Sequence, residues 1–420
     1  MRLLTILAIL ICLSIITGCA APHKRTWSKT DPSSYALAKK TESKKRVWRK
    51  TGGTRKVSTR PPRQKKFITF RTKSEKKVAV QETAESPDFS SAKTELEMGL
   101  KQELKALSST DNWEDPQTGV IQEVDIEDLS ENEVVYDFPI TVNRQVEVYL
   151  ELFQGAQRKY FSEWLARSGR YIPMMEAEFK AAGLPLDLVY LSMIESGFSQ
   201  TASSKAKAVG LWQFMSYTGR DYGLEITNYI DERRDDIKST RAAAAYLGDL
   251  YEEFGDWFLA VAAYNGGPGR VRNAIKKSKS RDFWKIAQKD LLPLETKRYV
   301  PKLIAAIIIA KEPAEYGFTD IEDNQPISYD TIAVGPGTSF DTVARITNSS
   351  SMIIQSLNQE LLQEKTPLDR KEYTLRIPKG TKKMAEKELP RFYGILQSEK
   401  SIFLADSQKY GPSQNATIQD

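Results

Sequence analysis

From Pro139 onward, apolar and polar residues alternate with a helical period. The stretches "RQVEVYLELFQ", "QRKYFSEWLARSG" and "YIPMMEAEFKAAG" set apolar residues three and four apart, which predicts three amphipathic helices, the last ending at Gly183. Pro185 then suits the first turn of a helix through "LPLDLVYLSMIESGFSQ". At ~100° per residue, Leu184, Leu188, Leu191 and Glu195 share one stripe of it. A carboxylate at the end of an apolar stripe is a misfit, one half of a buried pair, or a working acid. Further on, "IKSTRAAAAYLGDLYEEFG" predicts a long helix with Gly255 just past its end. Asp256 can cap "DWFLAVAAYN", which stops at "GGPG", and Pro268 opens "PGRVRNAIKKS". The last helix is predicted from Leu294 to Lys311. Its "LIAAIIIA" run follows Pro301 and is far too short for a membrane span, so it reads as a buried core helix. Residues 135–325 are therefore expected to form one all-α domain.

After Gly317 the texture changes. "ISYDTIAV" and "KEYTLRIPKG" read as strands, with short helices in "TSFDTVARITN" and "SMIIQSLNQELL" between them. This predicts a small β-α-α-β module over residues 327–379, and 380–420 reads as a polar tail without a defined element. "DERRDD" reads as a salt-bridged capping turn.

Composition narrows the chemistry. The 420 residues include Cys12 and Cys19 as the sole cysteines and His23 as the sole histidine, all in the first 23 positions. That removes disulfides, Cys- or His-ligated metals and Ser-His-Asp or Cys-His catalysis. No cofactor is expected, and lytic or hydrolytic chemistry must rest on carboxylates, tyrosine or lysine.

The formal charge of +6 is local: residues 23 to 77 carry 20 Lys/Arg against 3 Asp/Glu. Residues 19–134, basic and then acidic, are expected to be a disordered tether with one helix near Lys93 to Leu107, because so polar a segment cannot offset its ordering entropy. "MRLLTILAILICLSIITGCA" reads as a signal peptide, residues 1–18. Its end, Ile16-Thr17-Gly18-Cys19, resembles a bacterial lipobox. That resemblance implies cleavage before Cys19, loss of Cys12, and a lipid on Cys19. Ala20 after it resembles outer-membrane sorting. Nucleic acid is not an expected partner of an exported chain.

Around Glu195 stand Leu191, Met193, Ile194 and Phe198, so burial should raise its pKa. Downstream come "GLWQFM", "AAYNGGPG" and "ETKRYVPKL". Together with "IESGFS" and in this order, the motifs resemble the lytic transglycosylase family, specifically its membrane-bound type D branch. The likeness covers about residues 135–325. It implies a helical lysozyme-like fold and cleavage of the β-1,4 bond between N-acetylmuramic acid and N-acetylglucosamine in peptidoglycan, with a 1,6-anhydro product. It implies that Glu195 is the sole acid/base and that Ser204, Gln213, Tyr264, Asn265 and Tyr299 meet the substrate, Tyr264 and Tyr299 also being suited to bond the Glu195 carboxyl. Ser196 and Glu295 would support, Glu295 by orienting Tyr299. Trp212 could stack on sugar or fill core. Lys207 stands where the family often has glycine, so a left-handed backbone there would carry ~1 kcal/mol of strain.

Residues 327–379 resemble a divergent LysM domain through "VGPGTSFDTVARITN", "SLNQEL" and "YTLRIPKG", with Thr338 and Gln359 replacing that family's Asp and Pro. This implies binding of N-acetylglucosamine chains. Two other readings stay open: a muramidase-type hydrolase using Asp221 or Asp231 as a second carboxylate, and a non-catalytic peptidoglycan-binding lipoprotein.

Overall fold

Side-chain caps start several of the helices. In the computed structural model, which describes residues 134–393 and the backbone of 47–49, 119–120 and 122–124, Asn143 accepts from the Val146 N–H and starts α1, Arg144–Gln154. Asp235 accepts from Lys238 and starts α5, Asp236–Phe254; Asp256 accepts from Leu259 and starts α6, Trp257–Gly266. Gly255 follows α5 in the left-handed conformation, and Pro268 opens α7, Pro268–Ser278, as expected.

Two expectations fail between α1 and α5. The helices expected on either side of Tyr171 are one, α2, Arg158–Ala181, with Pro173 inside it. Phe161, Leu165, Met175 and Phe179 stay in phase across the proline and are all buried, so packing holds the helix together where a ladder bond is lost. Gly183 ends it: the Leu184 N–H reaches the Phe179 carbonyl at 3.0 Å and the Gly183 N–H that of Lys180 at 3.1 Å. The expected single helix from Pro185 is instead a 3-10 turn, Leu186–Tyr190, followed by a short α3, Leu191–Ser196. Asp137 and Asp187 clasp each other's backbones there. Asp187 Oδ2 accepts from the N–H of Asp137 (2.7 Å) and Phe138 (3.2 Å), and Asp137 accepts from Leu186 (2.6 Å) and Asp187 (2.9 Å). Lys311 Nζ closes on Asp187 at 2.6 Å, and burial still pushes that carboxyl up to about 6.

The remaining helices are α4, Ser216–Asp221, α8, Phe283–Ala287, and α9, Leu294–Lys311. α9 packs on α1, α3 and α6, and its apolar run from Leu303 to Ile309 is buried throughout. Among the described residues no helix is long and apolar enough to cross a membrane.

Four short strands flank this core in sequence: β1, Val47–Arg49, pairs with β3, Gln122–Val124, and β2, Gly119–Val120, with β4, Thr141–Val142, both antiparallel. Three of them fall in the span expected to lack structure, so that expectation does not hold at those residues. The signal peptide, Cys19 and the helix expected near Lys93 to Leu107 lie outside the described residues.

The β-α-α-β module forms as expected. β5, Tyr329–Val334, pairs antiparallel with β6, Tyr373–Pro378, and between them lie α10, Phe340–Ile346, and α11, Ser351–Leu357, capped by Ser339 and Ser350. Its core gathers Val334, Phe340, Val343, Ile354, Leu375 and Ile377. The polar tail expected after residue 380 is instead helical from 382 to 393, and Ala385 and Leu389 complete this second core. Ile230 of the all-α region is buried in it too and bridges to Leu361.

Candidate active site

Glu195 occupies the last turn of α3, where the chain breaks at once. Gly197 is left-handed at φ 56°, its N–H reaches the Met193 carbonyl at 2.8 Å, and a Cβ there would lie 2.4 Å from Trp164 Nε1. Only glycine fits, so the helix must stop beside the carboxyl. Buried Leu191, Met193 and Ile194 surround the half-buried glutamate. Desolvation pushes its carboxyl up to about 7. The bond from Tyr299 and the charge of Lys302 pull the other way, and Glu295 adds a smaller upward push.

Tyr299, from α9, donates its hydroxyl to Glu195 Oε1 at 2.5 Å. Burial and the glutamate's charge hold its phenol well above the ordinary tyrosine range, so it remains a donor. Tyr264, near the end of α6, feels the same charge. Its hydroxyl, however, donates to the Trp212 carbonyl at 2.8 Å rather than to Glu195, which corrects the bond expected for it. Asn265 follows. Its Oδ1 accepts from Thr296 Oγ1 at 2.9 Å and its Nδ2 donates to Glu295 Oε1 at 3.3 Å. Glu295 therefore holds Asn265, not Tyr299 as expected. Gly266 makes this possible, since a Cβ there would meet Thr296 Oγ1 at 2.7 Å.

A second wall is the loop 199–215. Ser196 Oγ ties α3 to it through the Leu211 carbonyl at 2.9 Å. Ser204 closes the tip: its N–H donates to the Ala208 carbonyl at 2.9 Å, and its Oγ accepts from the Ala208 N–H at 3.0 Å. Gln213 has φ 46° and spends its amide donors on the Gly210 (2.9 Å) and Ala202 (3.2 Å) carbonyls. Its Oε1 is the acceptor left for a ligand. Lys207 is left-handed at φ 66°, so the strain anticipated for a non-glycine residue is present. Trp212 is fully buried, stacks on Phe179 and donates to Thr240 Oγ1 at 3.0 Å, so it fills core. Asp231 forms a buried two-point pair with Arg233, at 2.8 and 2.7 Å, and Asp221 is exposed on α4. Neither stands as a second acid facing Glu195.

Part of the sequence has a counterpart among known domains. Residues 173–287 match the model of the Transglycosylase SLT domain. Over that stretch the chain resembles an SLT domain. It is 36% identical over 222 residues to membrane-bound lytic murein transglycosylase D of Escherichia coli K12, a stretch covering 51% of this chain and 47% of that protein. It is 32% identical over 147 residues to the peptidoglycan transglycosylase of Escherichia phage T7, covering 34% of this chain and 10% of that one. The lytic transglycosylase Slt of Pseudomonas aeruginosa aligns over 36% of this chain and 25% of its own at 26% identity, with a TM-score of 0.30. The chain spans about half the length of the curated relatives it matches.

Glu195, Tyr264 and Tyr299 come together from three helices, and Asn265 and Glu295 adjoin them; Glu295 and Tyr299 lie beyond the matched residues. Ser204 and Gln213 belong to the loop wall. Sequence reading missed Thr296, Thr240 and Arg233. Arg233 is buried beneath the loop 199–215, donating to the carbonyls of Lys207 and Phe214 at 3.0 Å each. Gly210 touches the same turn, for a Cβ on it would fall 1.9 Å from the Arg233 carbonyl. The pairing of an obligatory glycine in "GLWQF" with "DERRDD" carries no signal in a single sequence.

Proposed function

We propose that this chain is a lytic transglycosylase that cleaves the β-1,4 bond between N-acetylmuramic acid and N-acetylglucosamine. Glu195 protonates the glycosidic oxygen as the C1–O bond breaks. It then accepts the proton of the muramyl C6 hydroxyl as that oxygen attacks C1, which leaves the 1,6-anhydro sugar and consumes no water. The observation that carries this reading is a carboxyl held near neutrality by burial, bonded by the Tyr299 phenol. A two-carboxylate glycosidase needs a partner acid across the bond, and Asp231 is engaged by Arg233. Ser204, Gln213, Tyr264, Asn265 and Tyr299 would line the glycan, with Ser196 and Glu295 supporting them. The names of the relatives favour peptidoglycan as substrate.

The same reading assigns residues 1–18 as a signal peptide and Cys19 as a lipid anchor on the periplasmic face of the outer membrane. It assigns 135–325 as the catalytic domain and 327–379 as a LysM-like module that binds glycan. Digestion of purified sacculi tests the chemistry. Anhydro-muropeptides, identified by mass, are expected from the intact chain and not from Glu195→Gln. Release should fall as pH rises above about 7, where the folded carboxyl loses its proton. Products with reducing ends alone would replace the lyase by a hydrolase, and no release would leave a binding protein.

A further inference from the structure

The C-terminal module grips the turn that supports the loop 199–215. Arg376, on β6, donates to Asp236 Oδ1 at 2.7 Å and to Asp235 Oδ2 at 2.9 Å, and all three side chains are buried or nearly so. The backbone of Arg376 is fixed in turn by buried Asn358, whose Oδ1 accepts from its N–H at 2.9 Å and whose Nδ2 donates to its carbonyl at 2.8 Å. The Glu360 carbonyl accepts from the Asp231 N–H at 2.8 Å, and Arg370 pairs with Glu225.

The holds on Asp231 and Asp236 lead into the site. Asp231 fixes Arg233, which carries the carbonyls of Lys207 and Phe214. The Asp236 carbonyl accepts from Thr240 Oγ1 at 2.6 Å; Thr240 accepts from Trp212; the Trp212 carbonyl accepts from Tyr264. The Arg234 carbonyl accepts from Gln200 Nε2 at 3.1 Å, at the start of the loop. A flexibly strung glycan anchor needs none of this. It would not require a buried arginine shared between two aspartates of the catalytic region, where an unpaired charge would be costly.

We infer that Arg376 is a positioning residue for the reaction at Glu195: the module braces the loop bearing Gln213 and Trp212, beyond any glycan it holds itself. This rests on the lyase reading above. It predicts that freeing the brace slows turnover on glycan strands too short to reach the module.

The test uses the full chain with Arg376→Met, which keeps an unbranched side chain but removes the guanidinium that stands over the Tyr329 ring, and Arg376→Lys, which restores a cation. Two readouts are taken: anhydro-product kinetics on short soluble glycan strands and on sacculi, and amide hydrogen exchange. With Arg376→Met, kcat on short strands is expected to fall roughly tenfold with KM little changed, well inside the hundredfold that a misplacement of about an ångström produces. Exchange should quicken at Val209, Gly210 and Gln213, whose N–H groups bond within the loop. Arg376→Lys should recover most of both. Unchanged kcat and unchanged exchange would overturn the inference. So would a rise in KM confined to sacculi, the mark of an anchor alone. If the unaltered chain yields no anhydro product, the lyase reading fails by itself, and the exchange at the loop still decides whether the brace exists.

Discussion

Glu195 is held where its charge is unwelcome, and that has a measurable sign. Its folded pKa of about 7 stands above the ordinary value of 4.5. Between those values the folded chain holds a proton that the unfolded chain has released, so this residue's contribution to stability declines as pH rises through that window. Glu195→Gln removes the declining term. The variant should be more stable than the natural chain above pH 7 by about 1–3 kcal/mol, with the gain shrinking toward zero near pH 4.5. Denaturant midpoints measured at several pH values check this without any substrate. A gain that is flat with pH would mean the carboxyl is not held near neutrality. At this scale the apolar stripe and the Ser-Gly break marked Glu195 as unusual, and it was the resemblance that gave it a role. The hydroxyl bonds of its neighbours were not legible, because two tyrosines of the same chemistry differ only in which acceptor the fold places before them. Tyr299 meets the carboxyl and Tyr264 meets the Trp212 carbonyl.

Elements were legible where capping chemistry is local. Asp256 and Gly255 mark their helix ends by residue type alone. Reading faltered where tertiary contacts override local preference. A separate helix was expected from Tyr171, yet the apolar stripe of α2 runs through Pro173 in phase, and that phase was the available signal. The helix at 382–393 was missed because its apolar residues are few, although Ala385 and Leu389 have helical spacing. Gly210, inside the loop 199–215, and Gly223, beyond it, separate two kinds of constraint. Gly223 has φ 83° with open space around it, whereas Gly210 has φ 86° and the Arg233 carbonyl against it. Gly223→Ala should cost about 1 kcal/mol, the price of the backbone conformation alone. Gly210→Ala should exceed about 2 kcal/mol, since the turn beneath must also move. Equal losses in denaturant titrations would remove the close approach from the explanation.

On the scale of the whole molecule, the boundary drawn at residue 325 separates sequence textures better than it separates cores. Ile230 belongs to the second core, and Asp235 and Asp236 find their cation on β6. Glu360 is buried beside them and pushed up to about 7, chiefly by desolvation and then by Asp235. Such mutual burial couples the two parts, so calorimetry should record their unfolding as one transition at neutral pH. Arg376→Met should split it, because each part keeps a core of its own while the shared charges lose their partner. A single undivided peak in that variant would show that apolar contact around Ile230 is sufficient coupling. None of this was legible beforehand, for "DERRDD" satisfies itself as a capping turn on paper, and only the fold shows that its last two aspartates are answered from 140 residues away.

The clasp between Asp137 and Asp187 has a mechanical meaning. A pull on the chain from the side of residue 134 meets this knot before it meets α1 or α3. The force is shared among four backbone N–H bonds and the ammonium of Lys311, which is rooted in the last turn of α9. Strain applied upstream is thus earthed on the buried central helix, and the six-residue segment that carries Glu195, beginning four residues after Asp187, is left slack.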